Sequence, residues 1–238
     1  MSSESQFFFN RLKLRAVLIL TEPILVLVTV YQAFIYGISY LFLSEYPLPF
    51  EQARHWSEGV DGLPLLSLHV GILLSIGITV WYSLKVFAPK VLAAGGKVVP
   101  EDRLPLMIFG AFLFPAGLFW FAWTAANIHV HWIVPCLAGV MIGCGMFCIF
   151  LQCFAYLIEV YLPMANSAMA SNGMVRAFFG AGFPLFASQM YTKLGIPWAT
   201  SLLAFLAVAM IPIPVLFYIY GAKIRSWSKN AVNATADR

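Results

Sequence analysis

Residues Leu104 to Ile158 are 55 consecutive positions without Asp, Glu, Lys or Arg. A soluble domain of this size does not need such a run. At 1.5 Å rise per residue it is long enough for two bilayer crossings of ~20 residues each. Its one break, Asn127-Ile-His-Val-His131, reads as a short turn between two membrane helices. The chain therefore reads as an integral membrane protein. Its composition agrees: 61% of residues are hydrophobic and 10% charged, where a globular domain averages about 25% charged.

Six segments are long and apolar enough to span. They run over about 18–43, 65–87, 104–125, 132–158, 164–191 and 198–220. Glu22 lies near the start of the first and Arg176 within the fifth. Each exceeds the ~11 residues of a barrel strand and lacks polar alternation, so the expected fold is all-α. The expected organisation is a basic N-terminal segment over 1–17, a six-helix bundle over 18–221 and a tail over 222–238.

The basic apolar start is not a cleaved signal, because the apolar stretch after Arg15 is too long for one. If both termini share a side, that side holds eleven Lys and Arg residues, and the opposite side holds only Arg54 and Lys193. The asymmetry places both termini in the cytosol. Asn233-Ala-Thr235 matches a glycosylation acceptor, which a cytosolic tail would leave unmodified.

Small residues mark helix contacts. Gly139 with Gly143, Ala177 with Ala181, and Gly71 with Ser75 each put two small side chains on one helix face. Pro212 and Pro214 should bend the last span. Cys136, Cys144, Cys148 and Cys153 form no CxxC pair and read as small packing residues.

Polar positions inside the spans carry an energetic cost and so point to function. Arg176 stands roughly mid-depth, level with Phe147 to Gln152 across the antiparallel turn near Tyr161 to Met164. Glu159 lies about 15 Å away in depth, so the two do not pair, and Glu22 is equally remote. Arg176 thus snorkels, meets Gln152, or meets an anionic ligand or an acid of another bundle. Gln152, Tyr156 and Glu159 share one helix face, as a cavity wall would. Tyr31, Gln32 and Tyr36 form a similar, weaker set, and Asn172 shares a face with Arg176. No hydrolase, zinc-protease or phosphate-loop motif is present. His69 stands alone in the second span, and His129 and His131 lie in a turn. No catalytic residue, metal, cofactor or nucleic-acid partner is expected.

Several stretches together resemble one family. They include Thr21-Glu-Pro23, Phe34-Ile-Tyr-Gly37, Val99-Pro-Glu-Asp-Arg-Leu-Pro105 and Gly117-Leu-Phe-Trp-Phe-Ala-Trp123. His131-Trp-Ile-Val-Pro135, Phe150-Leu-Gln152 with Tyr156, Arg176, Phe183-Pro-Leu-Phe-Ala187 and Ala209-Met-Ile-Pro-Ile-Pro214 complete the set. The combination resembles the C-terminal half of a fungal major facilitator superfamily transporter of the drug:proton antiporter type, the group of polyamine and multidrug exporters.

The resemblance implies spans seven to twelve of a twelve-helix transporter in the plasma membrane, driven by proton entry and exporting hydrophobic or cationic compounds. It implies that Tyr31, Gln32, Tyr36, Gln152 and Tyr156 face a central cavity with Asn172 and Arg176. Glu159, Glu22 and Arg176 are then the candidates for proton coupling or gating. Ala155 and Glu159 stand where the family pattern would have Asn and Asp. The expected partners are the bilayer, a small-molecule substrate, protons, and either a missing N-terminal half or a second copy. A truncated exporter, a half-transporter active as a dimer, and a non-transporting interaction protein all remain open.

Overall fold

The computed structural model describes residues 22–227 except 53, 55, 58, 97 and 98. The basic segment, the first residues of the predicted first span, Lys97 and the tail from 228 lie outside these residues. The described residues form nine α-helices: α1 Pro23–Glu45, α2 Leu48–Gln52, α3 Leu66–Tyr82, α4 Ala88–Ala93, α5 Leu104–Ala125, α6 Ile133–Val160, α7 Ala165–Gly182, α8 Ala187–Met210 and α9 Pro212–Trp227. No strand occurs among them.

The uncharged run becomes α5 and α6, with the break at Asn127 as their turn. There the Asn127 side-chain oxygen accepts from the His129 amide at 3.0 Å. Arg54 closes the same turn by donating to the carbonyls of Val130 (2.7 Å) and Asn127 (3.3 Å).

The second span runs longer than its hydropathy predicts. A 3-10 turn at Leu63–Leu65 leads into α3, and a single π turn at Ser83–Phe87 carries the helix on into α4. Pro89 has no N–H for the Lys85 carbonyl, and the wide turn accommodates that missing bond.

By length and composition the described residues contain five stretches fit to cross a membrane, the last of them 60 residues long, Leu162–Gly221. That is twice a crossing, and it folds back once. Gly195 adopts φ 72° and ψ 163°, a conformation open to glycine and strained for other residues. Across this break the Tyr191 and Thr200 hydroxyls meet at 3.0 Å, which a straight helix would hold ~13 Å apart along its axis. The stretch therefore makes the fifth and sixth crossings. A second interruption falls at Ile211, whose amide bonds back to Val208 rather than one turn further. Pro212 then restarts the helix, where its missing N–H is tolerated.

The described helix ends and turns sort to two sides. At the terminal end, Arg225 meets Glu101, Arg103 meets Glu159, and Tyr161 meets Glu22. At the distal end lie Glu45, Arg54, the α5–α6 turn and Gly195.

Glycines set the helix spacing. α6 is clamped between α3 and α5. A Cβ on Gly71 would fall 2.8 Å from the Cys144 amide nitrogen, and one on Gly143 would meet the Leu68 backbone. On the other side Gly145 approaches the Phe114 backbone, and a Cβ there would fall 2.6 Å from its nitrogen. These are backbone-to-backbone contacts, which small residues alone permit. Gly71, Ser75, Gly139 and Gly143 act as their spacing predicts, with the Ser75 hydroxyl 3.0 Å from the Cys148 sulfur. Ala177 and Ala181 do not: both are exposed on α7, because α7 packs on α1 through its other face. There a Cβ on Gly180 would strike the Tyr36 ring.

The outer surface carries many exposed apolar side chains, with Leu73, Phe178 and Leu185 each more than two-thirds exposed. Such a surface suits a lipid or partner contact rather than water.

Candidate functional site

Among the described residues, charge is absent from the middle of the bundle with one exception. Their carboxylates lie at the ends: Glu22, Glu101, Asp102 and Glu159 at the terminal end, Glu45, Glu51 and Asp61 at the distal end. The other described Lys and Arg side chains also sit at the ends. Arg176 stands eleven residues into α7, midway between them.

Its surroundings are aromatic. The Arg176 guanidinium carbon lies 4.9 Å from the Phe154 ring centre, 5.1 Å from Tyr36 and 5.7 Å from Phe150. These are cation–π distances. The register that levels Arg176 with Phe147 to Gln152 is met by Phe150, one turn from Phe154. The same rings line a groove of about 230 Å³ between α1 and α6, completed by Ser39, Tyr40, Leu43, Met146 and Phe147. The Tyr36 hydroxyl donates to that of Tyr40 at 2.8 Å. A half-buried cation thus borders an apolar trough that carries a pair of phenols. Gly180 lets α7 approach α1 closely at Tyr36, where a Cβ would strike the Tyr36 ring.

The other residues singled out by sequence lie elsewhere. Tyr31, Gln32, Gln152, Tyr156 and Asn172 are each at most 1% exposed and sit inside this six-helix unit, not on its groove. Asn172 donates to the Gln32 carbonyl oxygen at 2.9 Å and to the Thr29 hydroxyl at 3.3 Å, tying α7 to α1. Tyr156 packs against Phe217 of α9. The Tyr31 and Tyr156 hydroxyls and the Gln152 carbonyl oxygen have no hydrogen-bond partner among the described residues. The face shared by Gln152, Tyr156 and Glu159 therefore points inward.

A third arrangement was not legible from spacing. The turn Pro100–Arg103 sends three successive charges to three different helices. Glu101 meets Arg225 of α9 at 3.1 Å, Asp102 meets Lys90 of α4 at 2.8 Å, and Arg103 meets Glu159 of α6 at 2.6 Å. Arg103 also lies 4.1 Å from the Phe87 ring centre. Glu22, fully buried, accepts from the Tyr161 hydroxyl at 3.2 Å. Both acidic gating candidates are therefore held at the terminal end, and Arg176 is separate from them.

Known proteins match this chain closely. An uncharacterized transporter of Schizosaccharomyces pombe is 51% identical over 217 residues, which are 91% of this chain and 40% of that protein. The MFS-type transporter oryN of Aspergillus oryzae is 53% identical over 90% of this chain and 41% of its own length. The chain is kin to the fungal major facilitator superfamily transporters. A further member, the citrinin biosynthesis cluster MFS transporter mrr1 of Monascus ruber, is 52% identical over 87% of this chain and 41% of itself. The chain spans about 40% of the length of these relatives. Members of the superfamily are transporters and not enzymes. No protein-family model matches the chain, and no solved structure does.

Proposed function

We propose that this chain forms one wall of the pathway in a proton-coupled exporter of hydrophobic small molecules, the C-terminal six helices of a twelve-helix transporter. The observation that carries the reading is the groove between α1 and α6. A transport fold binds its substrate between two halves near mid-membrane, and there this half has an aromatic trough beside its one mid-depth charge. Tyr36 and Arg176 are the substrate-facing residues. Tyr31, Gln32, Gln152, Tyr156 and Asn172 support the wall from inside.

Glu159 is the proton-responsive group in this reading. Neutralising it removes the partner of Arg103 and frees α5 from α6 at the terminal end, the movement a gate requires. The exposed face of α7, with Met174, Ala177, Phe178 and Ala181, is where a complementary half packs. Its small residues admit close approach.

The test is proton flux in liposomes carrying the chain, alone and together with the complementary six helices of a relative. A hydrophobic probe should drive proton movement when both halves are present, and Glu159→Gln should abolish it. Flux untouched by Glu159→Gln would remove that residue's role. No flux in either preparation would favour a non-transporting interaction protein.

A further inference from the structure

The groove also bears on the charge of what it holds, an inference that rests on the reading of the groove as a substrate wall. The resemblance to polyamine and multidrug exporters implies hydrophobic or cationic cargo. The groove itself has the opposite sign. Among the described residues no carboxylate lies between the two ends of the bundle, and the charge bordering the trough is the Arg176 guanidinium. A protonated amine placed there would meet a like charge with no counter-charge from this half. In a medium that screens poorly, that repulsion is strong.

The guanidinium is held but not satisfied. Its contacts are ring faces of Tyr36, Phe150 and Phe154. These attract the positive charge but accept no N–H···O hydrogen bond, and no hydrogen-bond acceptor or ion-pair partner serves Arg176 among the described residues. A planar fork of N–H donors matches a carboxylate or another bidentate oxyanion. Tyr40, whose hydroxyl accepts from Tyr36 and is 43% exposed at its residue, keeps its own O–H for a second bond. The remaining wall, Met146, Phe147, Phe150 and Phe154, is apolar and ring-rich.

We infer that the groove walled by Tyr36, Phe150 and Phe154 binds an aromatic or conjugated organic anion, with its ring system against the phenylalanines and its carboxylate or enolate turned to Arg176, which lies beside these rings rather than in the groove lining. Depth argues against a lipid headgroup as the source of that anion. Arg176 stands eleven residues into α7, ~16 Å along the helix from its start, whereas headgroups lie at the membrane surface.

Three probes that share one ring system separate the possibilities: naphthoate, naphthylmethylammonium and naphthalenemethanol. Binding of each to the full chain in phosphatidylcholine nanodiscs is measured by equilibrium dialysis. Naphthoate should bind about tenfold or more tightly than either of the others. Arg176→Lys should retain that order and Arg176→Gln should erase it. Phe154→Ala should weaken all three together. Adding phosphatidylglycerol should leave naphthoate binding unchanged. Should Arg176→Gln fail to fold, the comparison of the three probes on the unaltered chain still decides. Equal or tighter binding of the amine, or an Arg176→Gln variant that folds and keeps the preference, overturns the inference. Displacement by phosphatidylglycerol would assign the site to lipid and overturn it as well. The readout is binding, so absent proton flux would end the transport reading and leave this one standing. Flux with an amine preference would do the reverse.

Discussion

Arg103 and Glu159, 56 residues apart in sequence, meet at 2.6 Å between Nε and Oε1, with only 20% and 15% of their side chains exposed. The pair joins the start of α5 to the end of α6, and Phe87 packs on the guanidinium from a third segment. Removing one member of such a pair leaves the other charge enclosed, which costs about 3 kcal/mol. Arg103→Gln should therefore lower the thermal midpoint of the purified protein markedly. Combining it with Glu159→Gln should recover most of the loss, because no charge is then stranded. Additive losses in the double variant would show that the pair is not coupled.

Asn172 links α7 to α1 through Gln32 and Thr29. Hydrogen bonds between membrane helices average about 0.6 kcal/mol each. Asn172→Leu should thus cost roughly 1 kcal/mol and should leave probe binding in the groove intact, since the side chain is fully buried away from it. Denaturant titration in detergent measures the first, equilibrium dialysis the second.

Gly143 faces the Leu68 backbone with no room for a side chain. Gly143→Val must push α3 off α6, and overpacking of this kind costs about 1–3 kcal/mol. Gly77, with nothing near its missing Cβ, is the control. Gly77→Val in α3 should be nearly neutral in the same thermal-shift measurement.

Ala181 is exposed on the uncovered face of α7. Ala181→Trp should change stability by less than about 0.5 kcal/mol while lowering proton flux in liposomes that also hold a complementary half. Equal flux with and without the tryptophan would mean that this face does not pack on a second half.

The fold was legible because bilayer solvent acts on whole segments. The uncharged run divides at Asn127, and the fifth and sixth crossings turn at Gly195. Hydropathy could not foresee that the second crossing continues to Ala93, since that extension depends on how Pro89 relaxes the turn before it. Nor could spacing tell that Ala177 and Ala181 face outward. A small-residue stripe marks a close contact but not which helix makes it.

The candidate site was legible in part. Arg176 stood out through the cost of its charge, and its depth relative to α6 followed from antiparallel register. Its aromatic surroundings did not, because phenylalanines at Phe150 and Phe154 are unremarkable in a membrane helix until α1 and α7 bring Tyr36 beside them. The resemblance implies a central cavity beside Tyr31, Gln32, Gln152 and Tyr156, while helical spacing by itself fixes a shared face but not its direction. The three ion pairs of Glu101, Asp102 and Arg103 join residues as many as 124 positions apart in chain numbering, beyond the reach of any local pattern. A signal was nonetheless present: three charges side by side where an apolar helix begins.

Thiol accessibility tests most directly whether the groove lines a pathway. Phe147→Cys places a thiol in the trough at the middle of α6, and Phe112→Cys places one at similar depth on the exposed outer face of α5. Both are made in a chain whose four native cysteines are replaced by serine or alanine, and both are treated in intact cells with a membrane-impermeant maleimide. The cysteine at 147 should react and be protected by naphthoate, and the cysteine at 112 should not react. Equal resistance at both positions would place the groove against lipid and rule out a pathway there.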